Sequence, residues 1–159
     1  MLTVKIITVG TLKEAYWRDA LAEYKKRLGA FCRVEEINLK ESRVSDRPSE
    51  GEIASALAAE AQMMLPHLTP RAYKIALCVE GKQFSSEQLA QKLESAMQTA
   101  GEMVLLIGSS HGLSEQVKAA CNLRLSVSAL TFPHQMMRVM LMEILYRSMS
   151  ILKGTQYHK

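Results

Sequence analysis

The chain is poor in everything that would let a small protein depend on covalent or metal staples. Its three cysteines, Cys32, Cys78 and Cys121, lie far apart, each within an apolar run. There is no CxxC pair and no Cys/His spacing, which excludes a zinc ribbon or finger and a disulfide framework. Three reduced, partly buried thiols in a reducing compartment are expected instead. No apolar run approaches the ~20 residues of a membrane helix. The first residues, Met1-Leu2-Thr3-Val4-Lys5, lack a signal peptide's long apolar core and small-residue cleavage site, so a cytoplasmic location is expected. Neither GxGxxG nor a P-loop is present, so dinucleotide binding and NTP hydrolysis find no support. Internal repeats and low-complexity tracts are also missing.

What is present reads as an ordinary globular chain. Its 159 residues fit one domain spanning 1–159, with 48% hydrophobic and 23% charged residues. A domain of that size buries roughly 70% of its unfolded surface. The net charge of +4 and isoelectric point near 9.0 suit a nucleic-acid partner. Many proteins without one are equally basic, so charge leaves the partner open.

Apolar runs alternate with helical patterns. Strands are expected over Leu2–Val9, Phe31–Leu39, Tyr73–Val79, Met103–Ile107 and Leu123–Val127. The imperfect alternation of Phe31–Leu39 suggests exposure on one side. The wholly apolar Met103–Ile107 suggests a strand covered on both faces. Helices are expected over Leu12–Leu28, from about Glu50 to Leu65, from Ser85 or Ser86 to Thr99, and from Ser114 to about Ala120. The longest runs from Thr131 and Pro133 to about Leu152 and stops at Gly154. Ser49 with Glu52 three residues on is a capping-box pattern. Residues 40–50 form the one polar linker. The β-α alternation predicts an α/β fold, a mainly parallel sheet flanked by helices.

In such a sheet, ligands bind beyond the carboxyl ends of the strands. That rule selects three segments: Leu77–Lys82, Gly108–Gly112 and Val127–His134. Small residues in Gly108-Ser109-Ser110-His111-Gly112 let a ligand approach the backbone, although a plain strand-to-helix turn reads the same way. In Ser128-Ala129-Leu130-Thr131-Phe132-Pro133-His134, Thr131 or a neighbour can cap the helix, with His134 projecting near its start or simply at the surface. The last helix carries apolar residues beyond one stripe. One face can pack on its own sheet and another on a second subunit. Glu143 and Arg147 form an i,i+4 pair. The tail ends in Tyr157-His158-Lys159, an aromatic ring, an imidazole and a cation, groups suited to holding a base and a phosphate.

At these residues the chain resembles the ribosomal RNA large-subunit methyltransferase H family of the SPOUT (trefoil-knot) superfamily. The likeness includes Val9-Gly10 with Lys13 and Tyr16-Trp17, Glu23-Tyr24 with Arg27-Leu28, Gly81-Lys82 with Ser85-Ser86, and Ile107-Gly108 with Gly112-Leu113. Its most specific stretch runs from Leu130-Thr131-Phe132-Pro133-His134 through Arg138, Glu143 and Tyr146-Arg147 to Tyr157-His158-Lys159. The resemblance implies a C-terminal trefoil knot, a homodimer, and S-adenosylmethionine as cofactor. It implies methylation of N3 of a pseudouridine in helix 69 of 23S rRNA, on the assembled ribosome. It places the cofactor against Leu77, Gly108, Val127, Ser128, Ala129, Leu130, Thr131 and Phe132, with no metal and no membrane. The chain departs from the family pattern at Cys78, Ser109, His111 and Gln156, and His111 is left without a role.

For the reaction itself, His158 is the first candidate to take or orient the N3 proton, with Tyr157 stacking on or bonding to the base. Arg138 and Lys159 are candidates to hold phosphate or stabilise charge, Arg147 to contact RNA, and His134 is the second candidate for proton transfer. Lys25, Lys26, Arg27, Arg43 and Arg47 are candidate phosphate contacts or solvated surface. In a dimer, the tail of one subunit can serve the pocket of the other. A non-catalytic ribosome-binding factor and a tRNA methyltransferase of the same fold are the alternatives.

Overall fold

Residues Met1–Lys159 are all described by a computed structural model. Five strands, β1 (Leu2–Val9), β2 (Cys32–Leu39), β3 (Tyr73–Lys82), β4 (Glu102–Ile107) and β5 (Leu123–Leu125), make one sheet in the order β2-β1-β4-β3-β5. Every pairing is parallel. The helices are α1 (Ala15–Leu28), α2 (Glu50–Met64), α3 (Ser86–Thr99), α4 (Glu115–Ala119) and α5 (His134–Leu152), with a 3-10 turn at Leu65–His67.

Strand order and handedness together decide which face each helix covers. The steps β1→β2 and β3→β4 run one way across the sheet, and β2→β3 and β4→β5 run the other. Parallel crossovers share one hand, so α1 and α3 must lie on one face and α2 and α4 on the other. The core divides accordingly. Val4, Ile6, Met103 and Leu105 pack with Leu28, Leu93, Leu141 and Leu145 from α1, α3 and α5. Ile7, Val9, Val104 and Leu106 pack with Ala61 and Met64 of α2 and Val117 of α4. Side chains alternate along a strand, so β4, buried on both faces from Met103 to Ile107, has to be apolar over that run.

Strand β5 ends at Leu125 rather than Val127, and three other boundaries lie three residues from the sequence expectation, each for a local reason. Helix α1 begins at Ala15 rather than Leu12, because Glu14 is extended and the carbonyls of Leu12 and Lys13 accept from Arg18 Nη1 at 2.9 and 2.6 Å. Helix α5 begins at His134. Pro133 is its N-cap with ψ 139°, no side chain caps it, and Thr131 stays outside. Strand β3 does not end before Gly81 but continues to Lys82 through an irregular register, with Lys82 opposite Leu125. A Cβ on Gly81 would lie 2.7 Å from backbone carbons of Arg124 and Leu125. Its glycine thus marks close approach by β5, not a strand end. Ser49, Ser85 and Ser114 cap α2, α3 and α4, but the expected box at Ser49 is only half made, because the Glu52 carboxylate turns to Ser45, and the reciprocal box closes at Ser85 with Gln88 instead.

Candidate active site

The carboxyl ends of β3, β4 and β5 open onto a cleft of about 480 Å³, within the range of small-molecule sites. All three segments selected by the strand-end rule contribute to it. Leu77, Gly108, Val127, Ser128, Leu130, Thr131 and Phe132 line the cleft; Ala129 lies in the same loop but off the wall. His111, His134 and Met137 line it as well.

Local chemistry sets these loops. A Cβ on Gly108 would overlap the Gly112 carbonyl, so the turn after β4 closes only on glycine. Gly112 N–H donates to the Ser109 carbonyl at 2.9 Å and holds that closure. In the second loop, Leu130 N–H donates to Ser128 Oγ at 3.0 Å, and Ser126 Oγ donates to the Ser128 carbonyl at 3.1 Å. The loop is therefore fixed from both ends while Leu130 stays 71% exposed and Val79, on the facing strand, 53% exposed. Two large apolar side chains left uncovered beside a cleft offer walls to an apolar ligand surface.

One ion pair stands at the cleft wall. Lys118 Nζ lies 2.5 Å from Glu80 Oε1, and both residues line the cleft. The ammonium holds the Glu80 carboxyl below its ordinary range. Burial pushes the Cys78 thiol up, which keeps it protonated and a poor nucleophile.

The remaining residues singled out in the sequence lie elsewhere. Arg138 is 3% exposed. Its Nη2 donates to the carbonyls of Val9 and Gly10 at 2.9 and 2.8 Å, and Nη1 donates to Asn38 Oδ1 at 3.3 Å. The expected phosphate contact gives way to an internal one: the guanidinium ties α5 to the ends of β1 and β2. The tail folds back onto α3 and α5. Tyr157 Oη donates to Glu143 Oε2 at 2.6 Å and its ring meets Tyr146 edge-on at 4.6 Å. Arg147 grips Glu143 Oε1 through Nε at 2.8 Å and Nη2 at 2.5 Å, with its guanidinium 4.8 Å above the Tyr157 ring. His158 bridges Arg147 Nη1 (3.2 Å from Nδ1) and Glu87 Oε1 (2.7 Å from Nε2). Arginine only donates, so the neutral tautomer with its proton on Nε2 satisfies both neighbours. None of Tyr157, His158, Lys159 or Arg147 lines the cleft of its own chain. Arg147 instead borders a smaller cavity that shares Leu125 and Val127 with the cleft.

Among the basic candidates, Lys25 pairs with Glu36 and Arg27 with Glu23, both at 2.9 Å, while Lys26, Arg43 and Arg47 are exposed. Sequence reading missed Lys118 and the buried Glu60, and took in Glu80 only as part of Leu77–Lys82. For Glu60 a signal existed, because it interrupts the apolar stripe Ile53, Ala56, Leu57, Ala61, Met64 of α2.

A parallel sheet flanked on both faces, with strand-end loops closed around an apolar-walled cleft, defines an α/β protein of the ligand-binding type. The chain belongs to the SPOUT methyltransferase family: residues 2–158 match the family described as "Predicted SPOUT methyltransferase". It is 46% identical over 159 residues to the ribosomal RNA large subunit methyltransferase H of Streptococcus thermophilus, covering 99% of this chain and 100% of that protein. It is 41% identical to the methyltransferase of the same name from Leuconostoc mesenteroides, with the same coverage. A looser likeness, at TM-score 0.44 and 16% identity, links 98% of this chain to 59% of the SpoU methyltransferase AviRb of Streptomyces viridochromogenes, solved with AdoMet.

Proposed function

We propose that the chain transfers a methyl group from S-adenosylmethionine to N3 of a pseudouridine in helix 69 of large-subunit rRNA, acting as a cytoplasmic homodimer on the assembled ribosome. The observation that carries this reading is the convergence of Leu77, Gly108 and the 127–132 loop on one cleft, in a chain of this family. The residues fit the donor: Leu77, Leu130 and Phe132 give apolar walls, and the glycine turn leaves backbone groups open to adenine and ribose. When bound, the donor supplies an activated sulfonium methyl, so placement of the acceptor nitrogen provides much of the rate.

The chain's own residues then have two tasks, holding the base in line and removing the N3 proton. His158 takes or orients that proton, and Tyr157 stacks on the base or bonds to it. Lys159 and Arg147 meet phosphate, with His134, on the cleft wall, the second proton acceptor. Arg138 serves by fixing α5, from which the tail departs. Because the tail lies off its own chain's cleft, it serves the cleft of the second subunit.

Pure protein given labelled donor with 70S ribosomes, and in parallel with bulk tRNA, tests the reading. Label on the ribosomal pseudouridine, mapped by mass spectrometry, is expected. Label on tRNA would redirect the substrate, and ribosome binding with no donor affinity would make the chain a non-catalytic factor.

A further inference from the structure

Behind the glycine turn lies a carboxylate with no part in the mechanism above. Glu60, on α2, is 3% exposed, and each of its oxygens takes one hydrogen bond from a different loop. Ser109 Oγ donates to Oε1 at 2.9 Å. The backbone N–H of Ser42 donates to Oε2 at 3.1 Å. Ser109 belongs to the turn after β4, and Ser42 to the segment leaving β2. The surrounding stripe of α2 is apolar, and a leucine at position 60 would cover the same face without stripping a charge of water. What leucine cannot supply is direction.

That direction matters because of where Ser109 sits. The residue lines the cleft, while its hydroxyl is held from α2. Ser109 is bridged to Gly112, whose N–H donates back to the Ser109 carbonyl. Setting the hydroxyl against the carboxylate therefore sets the height of the whole Gly108–Gly112 backbone at the cleft. A fully bonded buried polar pair of this kind selects one loop conformation more than it adds stability.

We infer that Glu60 is a positioning residue for the donor cleft: acting through Ser109, its carboxylate holds the Gly108–Gly112 turn in the conformation that receives the donor. This rests on the donor reading above. Glu60 touches no reacting atom, so the effect falls on donor affinity and not on the chemical step.

The test compares the unaltered chain with Glu60→Leu, Glu60→Gln, Ser109→Ala and the Glu60→Leu/Ser109→Ala pair. Donor affinity is measured by calorimetry, amide exchange over 108–113 without donor, and kcat at saturating donor. Glu60→Leu and Ser109→Ala are each expected to weaken donor binding about ten-fold, the size of a lost hydrogen bond to a charged group. The pair is expected to lose no more than either single change, because both cut one link. Exchange over 108–113 should quicken, and kcat should stay within about two-fold. Glu60→Gln, whose amide can still meet both loops, should recover most of the affinity. If Glu60→Leu fails to fold, Ser109→Ala, which removes one hydroxyl, carries the test alone. Unchanged affinity in Ser109→Ala, or losses that add in the pair, would overturn the inference while leaving the donor reading intact. An unaltered chain that binds no donor would overturn both.

Discussion

At Gly108 an added Cβ would occupy the space of the Gly112 carbonyl, and at Gly81 it would crowd the backbone of Arg124 and Leu125. Neither neighbour is a flexible side chain, so neither can move aside cheaply. The two positions should fail differently. Gly81→Ala pushes β5 off β3 and is expected to destabilise the fold by roughly 1–3 kcal/mol, read from urea unfolding. Gly108→Ala forces open a buried turn on the cleft wall and should cost donor affinity first, seen in calorimetry of a chain that still unfolds cooperatively.

Glu143 makes the stability of the fold depend on pH. Burial would raise its carboxyl, but hydrogen bonds from Tyr157, Tyr24 and Arg147 outweigh that and hold it below the ordinary range. A carboxylate depressed in the folded state contributes stability above its unfolded pKa of about 4.3, and that contribution fades as pH falls through the folded value. Replacing Glu143 with glutamine should flatten the acid limb of a stability-against-pH curve. An unchanged limb would mean the tail cluster adds nothing to the fold.

Among the elements, α5 does the most joining. It packs against α1 and α3, and through Arg138 it holds the ends of β1 and β2. Arg138→Met would leave the carbonyls of Val9 and Gly10 without that donor and is expected to cost about 2–4 kcal/mol in urea unfolding. Charge at position 138 looked available to RNA in the sequence, where an arginine on a helix carries no mark of burial. Only the packing of α5 over the strand ends turns it inward. The start of α5 shows the same limit. Thr131 and Pro133 read as a cap and first turn, yet the extended backbone at Pro133 delays the helix to His134.

For the molecule as a whole, the separation of tail and cleft makes the subunit arrangement testable. Equimolar His158→Ala and Gly108→Ala chains, mixed and reassembled, should regain methylation that neither shows alone. One site of the mixed dimer then combines an intact cleft with an intact tail from the other chain. No recovery would place the tail's action within a single chain. The +4 net charge also predicts that ribosome affinity falls steeply with added salt, as phosphate contacts release counterions. A flat response in filter binding would point to contacts other than phosphate.

By itself the sequence determined the alternation of strands and helices, the apolar run of β4, the serine caps, and the three strand-end segments that converge on the cleft. Those features are local, or follow from the rule that loops at strand ends meet, so periodicity and spacing carry them. The tertiary structure alone decided that β5 presses on Gly81, that Arg138 serves carbonyls, that His158 sits between Arg147 and Glu87, and that Glu60 braces Ser109. Each is a contact between residues far apart in the chain, where partner and direction are set by packing and a residue's type says only what it is able to bond.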